Sequence, residues 1–182
     1  MAKDFNVMLA GFGGQGILFA GKVIAYAGML AGREVSWLPS YGPEMRGGTA
    51  NCIVIISDSE IGSPLVNELD ALVALNQPSY QKYINEVVPG GVAVLDSSLV
   101  YGYTPRMDVA YHALPATVLA EDNNLQSLAN IILLGKLLGA TGFADLAVVN
   151  KAIEKSVSAK HIDLMEANKR ALQLGIDWQP AD

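Results

Sequence analysis

The sequence predicts an α/β fold with a doubly wound, mostly parallel sheet and helices in its C-terminal part. A short apolar strand, Phe5–Ala10, runs directly into a glycine-rich turn and then into a helix from about Gly14 to Ala31. Further apolar runs follow, and continuous apolar runs are typical of strands inside a parallel sheet. From Pro115 onward the pattern becomes helical. Together these features indicate a Rossmann-like arrangement.

Five more strands are predicted from runs of apolar and β-branched residues that turn residues interrupt. They are Glu34–Leu38, Ala50–Ser57, Asp70–Leu75, Val92–Leu95 and, at an edge of the sheet, Val109–Leu114.

Four more helices are predicted after the first, which Gly32 is expected to cap. They are Ser79–Val87, Leu125–Leu138, Asp145–Val157 and His161–Leu174. The second of these is apolar around most of its circumference, so we expect it to be buried in a core or against another subunit. Gly139 and Gly142 are expected to end it, and Gly175 is expected to cap the last helix.

Composition favours a single domain over residues 1–182, with a helical part at about 115–176. Hydrophobic residues make up 51% of the chain and charged residues 16%, which favours a sizeable core and an obligate partner. The formal net charge of −6 argues against nucleic acid, because no basic stripe is available to neutralise phosphates.

The single cysteine, Cys52, excludes an intrachain disulfide and a cysteine-ligated iron–sulfur cluster within this chain. It lies in a predicted buried strand, which favours an inert core thiol. No signal peptide is evident, and the longest apolar run, Ile17 to Gly32, is interrupted by Lys22 and too short for a membrane span. We therefore expect a soluble cytoplasmic protein.

The glycine-rich turn is the first candidate site. Gly11, Gly13 and Gly16 fit the G-x-G-x-x-G spacing of anion-binding turns between a strand and a helix. Gly11 would permit the tight turn, Gly13 would let the backbone approach a phosphate, and Gly16 would let the helix pack close to the strand. The first N–H groups of the helix would then point at the anion. The alternative is a turn that serves only tight packing.

The second candidate is the loop Ser40-Tyr-Gly-Pro-Glu-Met-Arg-Gly-Gly-Thr49. Its glycines free the backbone beside Arg46, whose guanidinium suits bidentate recognition of a phosphate or carboxylate. In the alternative interpretation, Arg46 and Glu44 pair with each other and only stabilise the loop.

Three predicted strand ends bear on the ligand. The second strand ends Trp37-Leu-Pro-Ser40 without the acid that usually holds the ribose of a dinucleotide, which argues against NAD. Asn76-Gln77-Pro78 and Asp96-Ser97-Ser98 follow two later strands, where ligands of open α/β sheets usually bind. For Asp96 and its neighbours, capping the next turn is the favoured role.

No active site can be assembled from this chain's own residues. His112 falls in a predicted strand and His161 at a helix start, and neither has a neighbouring Ser, Cys or acid that suggests a triad. No His, Asp and Glu cluster has metal-ligand spacing. A lone carboxylate such as Glu44 does not define acid–base chemistry. We therefore expect a binding subunit with no catalytic or metal-ligating residues of its own.

Two motifs together resemble the gamma subunit of the 2-oxoacid:ferredoxin oxidoreductases. They are Gly11-Phe-Gly-Gly-Gln-Gly16 and Tyr41-Gly-Pro-Glu-Met-Arg-Gly-Gly48. The resemblance continues through Ile55-Ile-Ser-Asp58, Gly90-Gly91 with Leu95-Asp-Ser97, and Ala129-Asn-Ile-Ile-Leu-Leu-Gly135. The Gly-Pro-Glu run favours the branch that uses 2-oxoglutarate or branched-chain 2-oxoacids over the indolepyruvate enzymes.

The resemblance implies a reaction that this chain does not perform alone. The family decarboxylates a 2-oxoacid oxidatively on thiamine diphosphate with Mg²⁺, passes electrons through iron–sulfur clusters to ferredoxin, and releases an acyl-coenzyme A. This chain has no Gly-Asp-Gly thiamine motif and no cysteine-rich stretch. The resemblance therefore places those groups on alpha and beta subunits, with a ferredoxin-like delta subunit as a further candidate partner.

The resemblance also implies that this chain helps to bind coenzyme A. In this hypothesis Gly13, Gly14, Gln15 and Gly16 cradle one phosphate, and Arg46 pairs with another phosphate or with the substrate carboxylate. The complete set of expected site residues is Gly11, Gly13, Gly14, Gln15, Gly16, Tyr41, Glu44, Arg46, Gly47 and Gly48. Three alternatives stay open: a Tyr41–Gly48 loop that makes a subunit contact closing the thiamine site, a free-standing nucleotide- or flavin-binding protein, and a scaffold without ligand.

Overall fold

The computed structural model describes residues 4–40, 49–157 and 162–180. Within these residues six strands form one sheet: β1 Phe5–Phe12, β2 Glu34–Ser40, β3 Thr49–Ser57, β4 Leu69–Ala74, β5 Val87–Asp96 and β6 Ala110–Leu114. The helices in the same residues are α1 Ile17–Leu30, α2 Gln77–Tyr83, α3 Ala116–Asp122, α4 Ala129–Thr141, α5 Leu146–Ser156 and α6 Ile162–Asp177. None of these helices is long and apolar enough to cross a membrane.

The sheet has the order β2-β3-β1-β4-β5-β6. The pairs β1–β4, β4–β5 and β5–β6 are parallel, whereas β3 runs antiparallel to both of its neighbours, β1 and β2. Five strands therefore share one direction, which confirms the predicted mostly parallel α/β sheet. The exception is β3, which starts at Thr49, too soon after the end of β2 at Ser40 for the long crossover that a parallel pair needs.

Side chains alternate across the sheet and supply two apolar layers. On β1, Val7 and Leu9 face the layer that contains α1, α4 and α5, while Met8 and Ala10 face the layer that contains α2. This period of two is expected for a strand buried on both faces. The sheet is thus covered on both sides, as in a doubly wound fold.

Helix α4 is buried by its own chain. Ile131, Ile132, Leu133 and Leu134 are all fully buried, so the core of this chain accounts for the apolar surface that the sequence left open to a subunit contact. Close packing against α6 requires small residues: a Cβ on Gly135 would overlap the carbonyl oxygen of Leu172.

Three glycines in this region were predicted to end or cap a helix, and one of them does so. Gly175 is not a cap, because α6 continues to Asp177 and a Cβ at Gly175 would overlap the carbonyl oxygen of Ile132 on α4. Gly139 lies inside α4 and does not end it. Gly142 does end α4, with a left-handed φ of 59° at the C-cap, as predicted.

Two predicted helix starts are wrong for the same physical reason. The helix predicted from Leu125 begins at Ala129, because Asn124 and Ser127 adopt positive φ values of 54° and 68° that interrupt a right-handed helix. The first helix begins at Ile17, three residues after the predicted Gly14, because of positive φ values in the glycine turn.

Two glycines of α1 let this helix pack very closely against the sheet. A Cβ at Gly28 would lie 2.7 Å from a methyl of Val35 on β2, and a Cβ at Gly21 would overlap Cys52 Sγ on β3. The partner of this face of α1 is therefore the sheet of the same chain. The predicted capping role of Gly32 is also consistent with its φ of 75° and with its N–H, which donates to Met29 O at 3.0 Å.

Candidate functional site

The glycine turn connects the end of β1 to the start of α1. Gly14 and Gly16 have positive φ values of 93° and 74°, which L side chains rarely adopt. The backbone N–H of Gln15 donates to the carbonyl of Phe12 at 3.2 Å and closes the turn. Of the three glycines in the G-x-G-x-x-G spacing, only Gly16 has a positive φ, and the other left-handed glycine of the turn, Gly14, lies outside that spacing.

The side chain of Gln15 fixes the turn to the carboxyl end of β4. Its Oε1 accepts from the N–H of Phe12 at 2.6 Å and from Nδ2 of Asn76 at 3.3 Å, and its Nε2 donates to the carbonyl of Leu75 at 3.2 Å. A Cβ at Gly11 would lie 2.6 Å from the same Oε1, so Gly11 leaves room for this amide. Gln15 therefore shapes the site through its side chain.

Asn130 supports the turn from the first turn of α4. Its Nδ2 donates to the carbonyl of Gly16 at 2.9 Å, and the residue is only 3% exposed. A Cβ at Gly16 would lie 2.5 Å from that nitrogen. The sequence predicted that Gly16 lets the helix pack close to the strand. The structure corrects this role, because the close neighbour of Gly16 is Asn130 on α4.

The start of α1 suits an anion. No side chain in the described part of the chain caps this helix, and its first turn contains no acidic residue. A cavity of about 250 Å³ opens here, lined by Phe12, Gly13, Gly14, Gly16, Ile17, Leu18, Phe19 and Ala50, none of which is charged. The N-terminal N–H groups and the helix dipole therefore provide the local positive potential.

A larger cavity of about 350 Å³ adjoins the other side of the turn. Gly14 and Gln15 belong to one wall, and Thr117, Glu121 and Ser127 belong to the other. The left-handed conformation of Ser127 costs about 1–3 kcal/mol, and strain of this kind concentrates at functional sites. The segment between α3 and α4 is thus a candidate wall of the ligand site, and sequence analysis did not identify it.

Strand register brings both ends of the second motif to this edge of the sheet. Thr49, the first residue of β3, pairs with Phe12 at the end of β1, and Ser40 at the end of β2 pairs with Asn51. The predicted site residues of this motif, Tyr41, Glu44, Arg46, Gly47 and Gly48, lie outside the described residues. Their expected roles stay predictions.

The fold and the turn match one protein family over nearly the whole chain. A profile described as pyruvate ferredoxin/flavodoxin oxidoreductase covers residues 6–178. The chain belongs to this family. The match includes the glycine turn, both edges of the sheet and helices α3 to α6.

Curated relatives of this oxidoreductase family differ in length. Ketoisovalerate oxidoreductase subunit VorA of Methanothermobacter marburgensis is 37% identical over 97% of this chain and 37% of VorA. 2-Oxoglutarate synthase subunit KorC of Methanocaldococcus jannaschii is 40% identical over 84% of this chain and 83% of KorC. The chain thus spans little more than a third of VorA but most of KorC.

Solved structures of the family share the fold. The gamma subunit of a keto/oxoacid ferredoxin oxidoreductase from Geobacter sulfurreducens is 31% identical, with a TM-score of 0.84 over 96% of this chain and 95% of that chain. The 2-oxoglutarate:ferredoxin oxidoreductase of Magnetococcus marinus is 23% identical, with a TM-score of 0.84 over 95% of this chain and 30% of that chain. The resemblance to gamma subunits that the two motifs predicted is confirmed.

The polar residues at the carboxyl ends of β4 and β5 mainly cap the segments that come after them in this family member. Asp96 is 1% exposed; its Oδ2 accepts from Thr117 Oγ1 at 2.6 Å and its Oδ1 accepts from the N–H of Ser98 at 3.0 Å. This confirms the capping role. Asn76 Oδ1 accepts from the N–H of Ser79 at 2.9 Å and caps α2. β2 is separated from β1 by β3, away from the position where a dinucleotide-binding fold places its ribose-binding acid.

The described residues of this chain do not fit the metal cofactors that the resemblance implies for the complex. No group of three His, Cys, Asp or Glu side chains among those residues could hold a metal ion. Cys52 is buried and donates weakly to the carbonyl of Ile17 at 3.7 Å. Burial raises the pKa of its thiol to about 12, so it stays protonated and inert, as the sequence predicted. His112 lies in β6 as predicted, whereas His161 lies outside the described residues.

Proposed function

We propose that this chain is the gamma component of a 2-oxoacid:ferredoxin oxidoreductase and that its glycine turn holds a phosphate of coenzyme A. The complete enzyme would decarboxylate a 2-oxoacid oxidatively and release an acyl-coenzyme A with reduction of ferredoxin. The observation that carries the proposal is the start of α1, which no described side chain caps, beside two left-handed glycines and a cavity whose described lining residues are all uncharged. This arrangement suits a phosphate because free N–H groups and the helix dipole both favour an anion.

The charge distribution around the turn suggests the orientation of the ligand. Glu121 belongs to the wall of the larger cavity and would repel a phosphate there, whereas none of the described residues that line the smaller cavity is charged. The phosphate is therefore assigned to the smaller cavity at the start of α1. An uncharged, hydroxyl-bearing part of the ligand suits the larger cavity, where the carboxylate of Glu121 and the hydroxyls of Thr117 and Ser127 can pair with it.

The remaining chemistry is assigned to partner subunits. Thiamine diphosphate with Mg²⁺ and the iron–sulfur clusters would belong to alpha and beta subunits, with delta as a further candidate, because the described residues here contain no ligand set for a metal. The relatives' names favour 2-oxoglutarate or 3-methyl-2-oxobutanoate (ketoisovalerate) as substrate. The Magnetococcus enzyme was solved with 2-oxoglutarate, coenzyme A and succinyl-CoA bound. A cytoplasmic location stays a prediction.

Leu18 offers a matched test of the phosphate site. It lies in the first turn of α1 and lines the smaller cavity. In the assembled enzyme, Leu18→Glu places a competing carboxylate at the N–H groups and should raise the KM for coenzyme A about tenfold, with an unchanged KM for the 2-oxoacid. Leu18→Gln is the neutral control of the same shape. Equal effects of the two substitutions on coenzyme A would overturn the phosphate assignment.

Arg46 provides the second test. In the proposed role it pairs with another phosphate or with the substrate carboxylate, so Arg46→Ala should raise the KM for coenzyme A or for the 2-oxoacid about tenfold. If the loop serves only as a subunit contact, the same substitution should instead weaken co-purification with the thiamine-binding subunits. Unchanged kinetics and unchanged assembly would exclude both roles. The alternative of a free-standing nucleotide- or flavin-binding protein is not favoured by the family membership.

A further inference from the structure

A separate cavity lies between the edge strand β6 and the C-terminal parts of α4 and α6. Its volume is about 330 Å³, and it shares no lining residue with the phosphate cavity at the start of α1 or with the cavity lined by Glu121. The lining residues are Tyr111, His112 and Ala113 from β6, Lys136, Gly139 and Ala140 from α4, and Ile176, Trp178, Gln179 and Pro180 from the end of α6 and beyond. A cavity of this size falls at the small end of known small-molecule sites.

Two basic side chains meet in this cavity without an acid. His112 and Lys136 both line it, and no Asp or Glu is among the lining residues that the structure describes. Burial lowers the pKa of His112, and the charge of Lys136 lowers this pKa further. Lys136 therefore supplies a positive charge to this cavity, and the described lining residues include no acidic side chain to pair with it.

Lys136 is held in place by Trp178 and keeps N–H donors that can bind a ligand. Its Nζ donates to the carbonyl of Trp178 at 2.8 Å and lies 5.5 Å from the centroid of the Trp178 indole. An ammonium group has three N–H donors, and the carbonyl takes one of them. Trp178 thus fixes the cation and also provides an aromatic wall, which Ile176 and Ala140 extend with apolar surface.

We propose that this cavity binds a small organic carboxylate, with the carboxylate between Lys136 Nζ and the His112 imidazole and the carbon chain against Trp178. The apolar walls favour a ligand with a carbon body over a bare inorganic ion. The ammonium group supplies charge-assisted hydrogen bonds, and His112 becomes a second donor when it takes up a proton. This site is independent of the coenzyme A assignment.

The chain contains only two histidines, which allows a direct test by proton NMR of the full-length protein. His112→Gln assigns the His112 resonances, and His161 serves as the internal reference. Isobutyrate is the probe and neutral isobutyramide its matched control. We expect isobutyrate to raise the pKa of His112 saturably, with no change at His161 and no effect of isobutyramide.

Lysine variants test the cation. Lys136→Gln should weaken isobutyrate binding about tenfold, because a charge-assisted hydrogen bond is lost. Lys136→Arg should retain most of the binding. Lys151→Gln, which removes an exposed lysine on α5, should not change it. Retained chemical-shift dispersion in each spectrum identifies variants that fold.

Three outcomes would overturn the proposal. Equal, unsaturable shifts of His112 by isobutyrate and by inorganic phosphate would indicate a general effect of ionic strength. Unchanged isobutyrate binding in Lys136→Gln would exclude the Lys136 ammonium group as the cation that binds the carboxylate. A shift of the His112 resonance in Asp182→Asn without any probe would indicate that a carboxylate of this same chain already pairs with the cavity.

Discussion

Asn130 Nδ2 donates a 2.9 Å hydrogen bond to the carbonyl oxygen of Gly16, a residue 114 positions earlier in the chain. The bond joins the first turn of α4 to the N-cap of α1, and Asn130 Oδ1 is buried with no hydrogen-bond partner among the described residues. A buried amide oxygen without a partner is costly, so the net contribution of this amide is smaller than that of its hydrogen bond alone. This relationship makes α4 part of the support for the glycine turn.

We expect Asn130→Ala to lower the free energy of unfolding by about 0.5–1.5 kcal/mol, the usual net contribution of one hydrogen bond. The loss of the unpaired Oδ1 offsets part of that cost. Chemical denaturation of the purified chain measures the difference. Asn150→Ala is the matched control, because Asn150 Oδ1 is also buried without a partner but the residue does not contact the turn through a hydrogen bond. A larger loss in Asn150→Ala than in Asn130→Ala would contradict the assigned support.

Two glycines of the turn should respond differently to alanine. Gly16→Ala combines a φ of 74° with a Cβ 2.5 Å from Asn130 Nδ2, and we expect a loss of about 2–4 kcal/mol. Gly14→Ala meets open space, so only its φ of 93° is unfavourable and the loss should be about 1–2 kcal/mol. Denaturant titration of both variants gives the order.

The double variant Gly16→Ala/Asn130→Ala separates strain from contact. If the clash with Asn130 contributes, the double variant should lose less stability than the two single losses added together. Strict additivity would mean that backbone conformation alone explains the cost at Gly16.

The sequence located the turn correctly because glycine spacing is a local property. Gly11, Gly13 and Gly16 lie where a strand passes into a helix, and their spacing alone predicts that position. The partner of Gly16 could not be predicted in this way. Asn130 lies in an otherwise apolar run, and its contact depends on how α4 packs in three dimensions.

The order of the strands in the sheet also could not be predicted from local sequence patterns. The residues of β3 predict a strand, but its insertion between β2 and β1 depends on pairing partners that local propensity does not specify. The left-handed residues Asn124 and Ser127 were also missed, because neither is glycine, the residue type that most often indicates a positive φ.

Cys52 should resist alkylation in the native protein. Its thiol is buried, and its pKa of about 12 leaves almost no thiolate near neutral pH. We expect iodoacetamide to modify it at least about a hundredfold more slowly than in the denatured chain, because reaction requires opening of the fold. Mass spectrometry over time measures both rates. Comparable rates in the two states would contradict the burial.

The same thiol predicts a loss of stability at alkaline pH. Its pKa is raised from 9.0 to about 12 on folding, so the unfolded chain loses its proton first. The contribution of Cys52 is complete below pH 9 and declines as the pH rises towards about 12. Cys52→Ala should reduce this alkaline slope, and an unchanged slope would contradict the shift.

The lowered pKa of His112 predicts a loss of stability at acidic pH. Burial and Lys136 lower its pKa on folding, so on acidification the unfolded chain binds a proton first. Its contribution to stability is therefore present above a pH of about 6.5 and is lost as the pH falls below that value. We expect wild type to lose more unfolding free energy than His112→Gln between about pH 7.5 and 5.5, where most carboxylates stay ionised. Lys136→Gln should also reduce the loss, because it removes one cause of the lowered pKa. An equal loss in wild type and His112→Gln would show that other groups dominate the acid response.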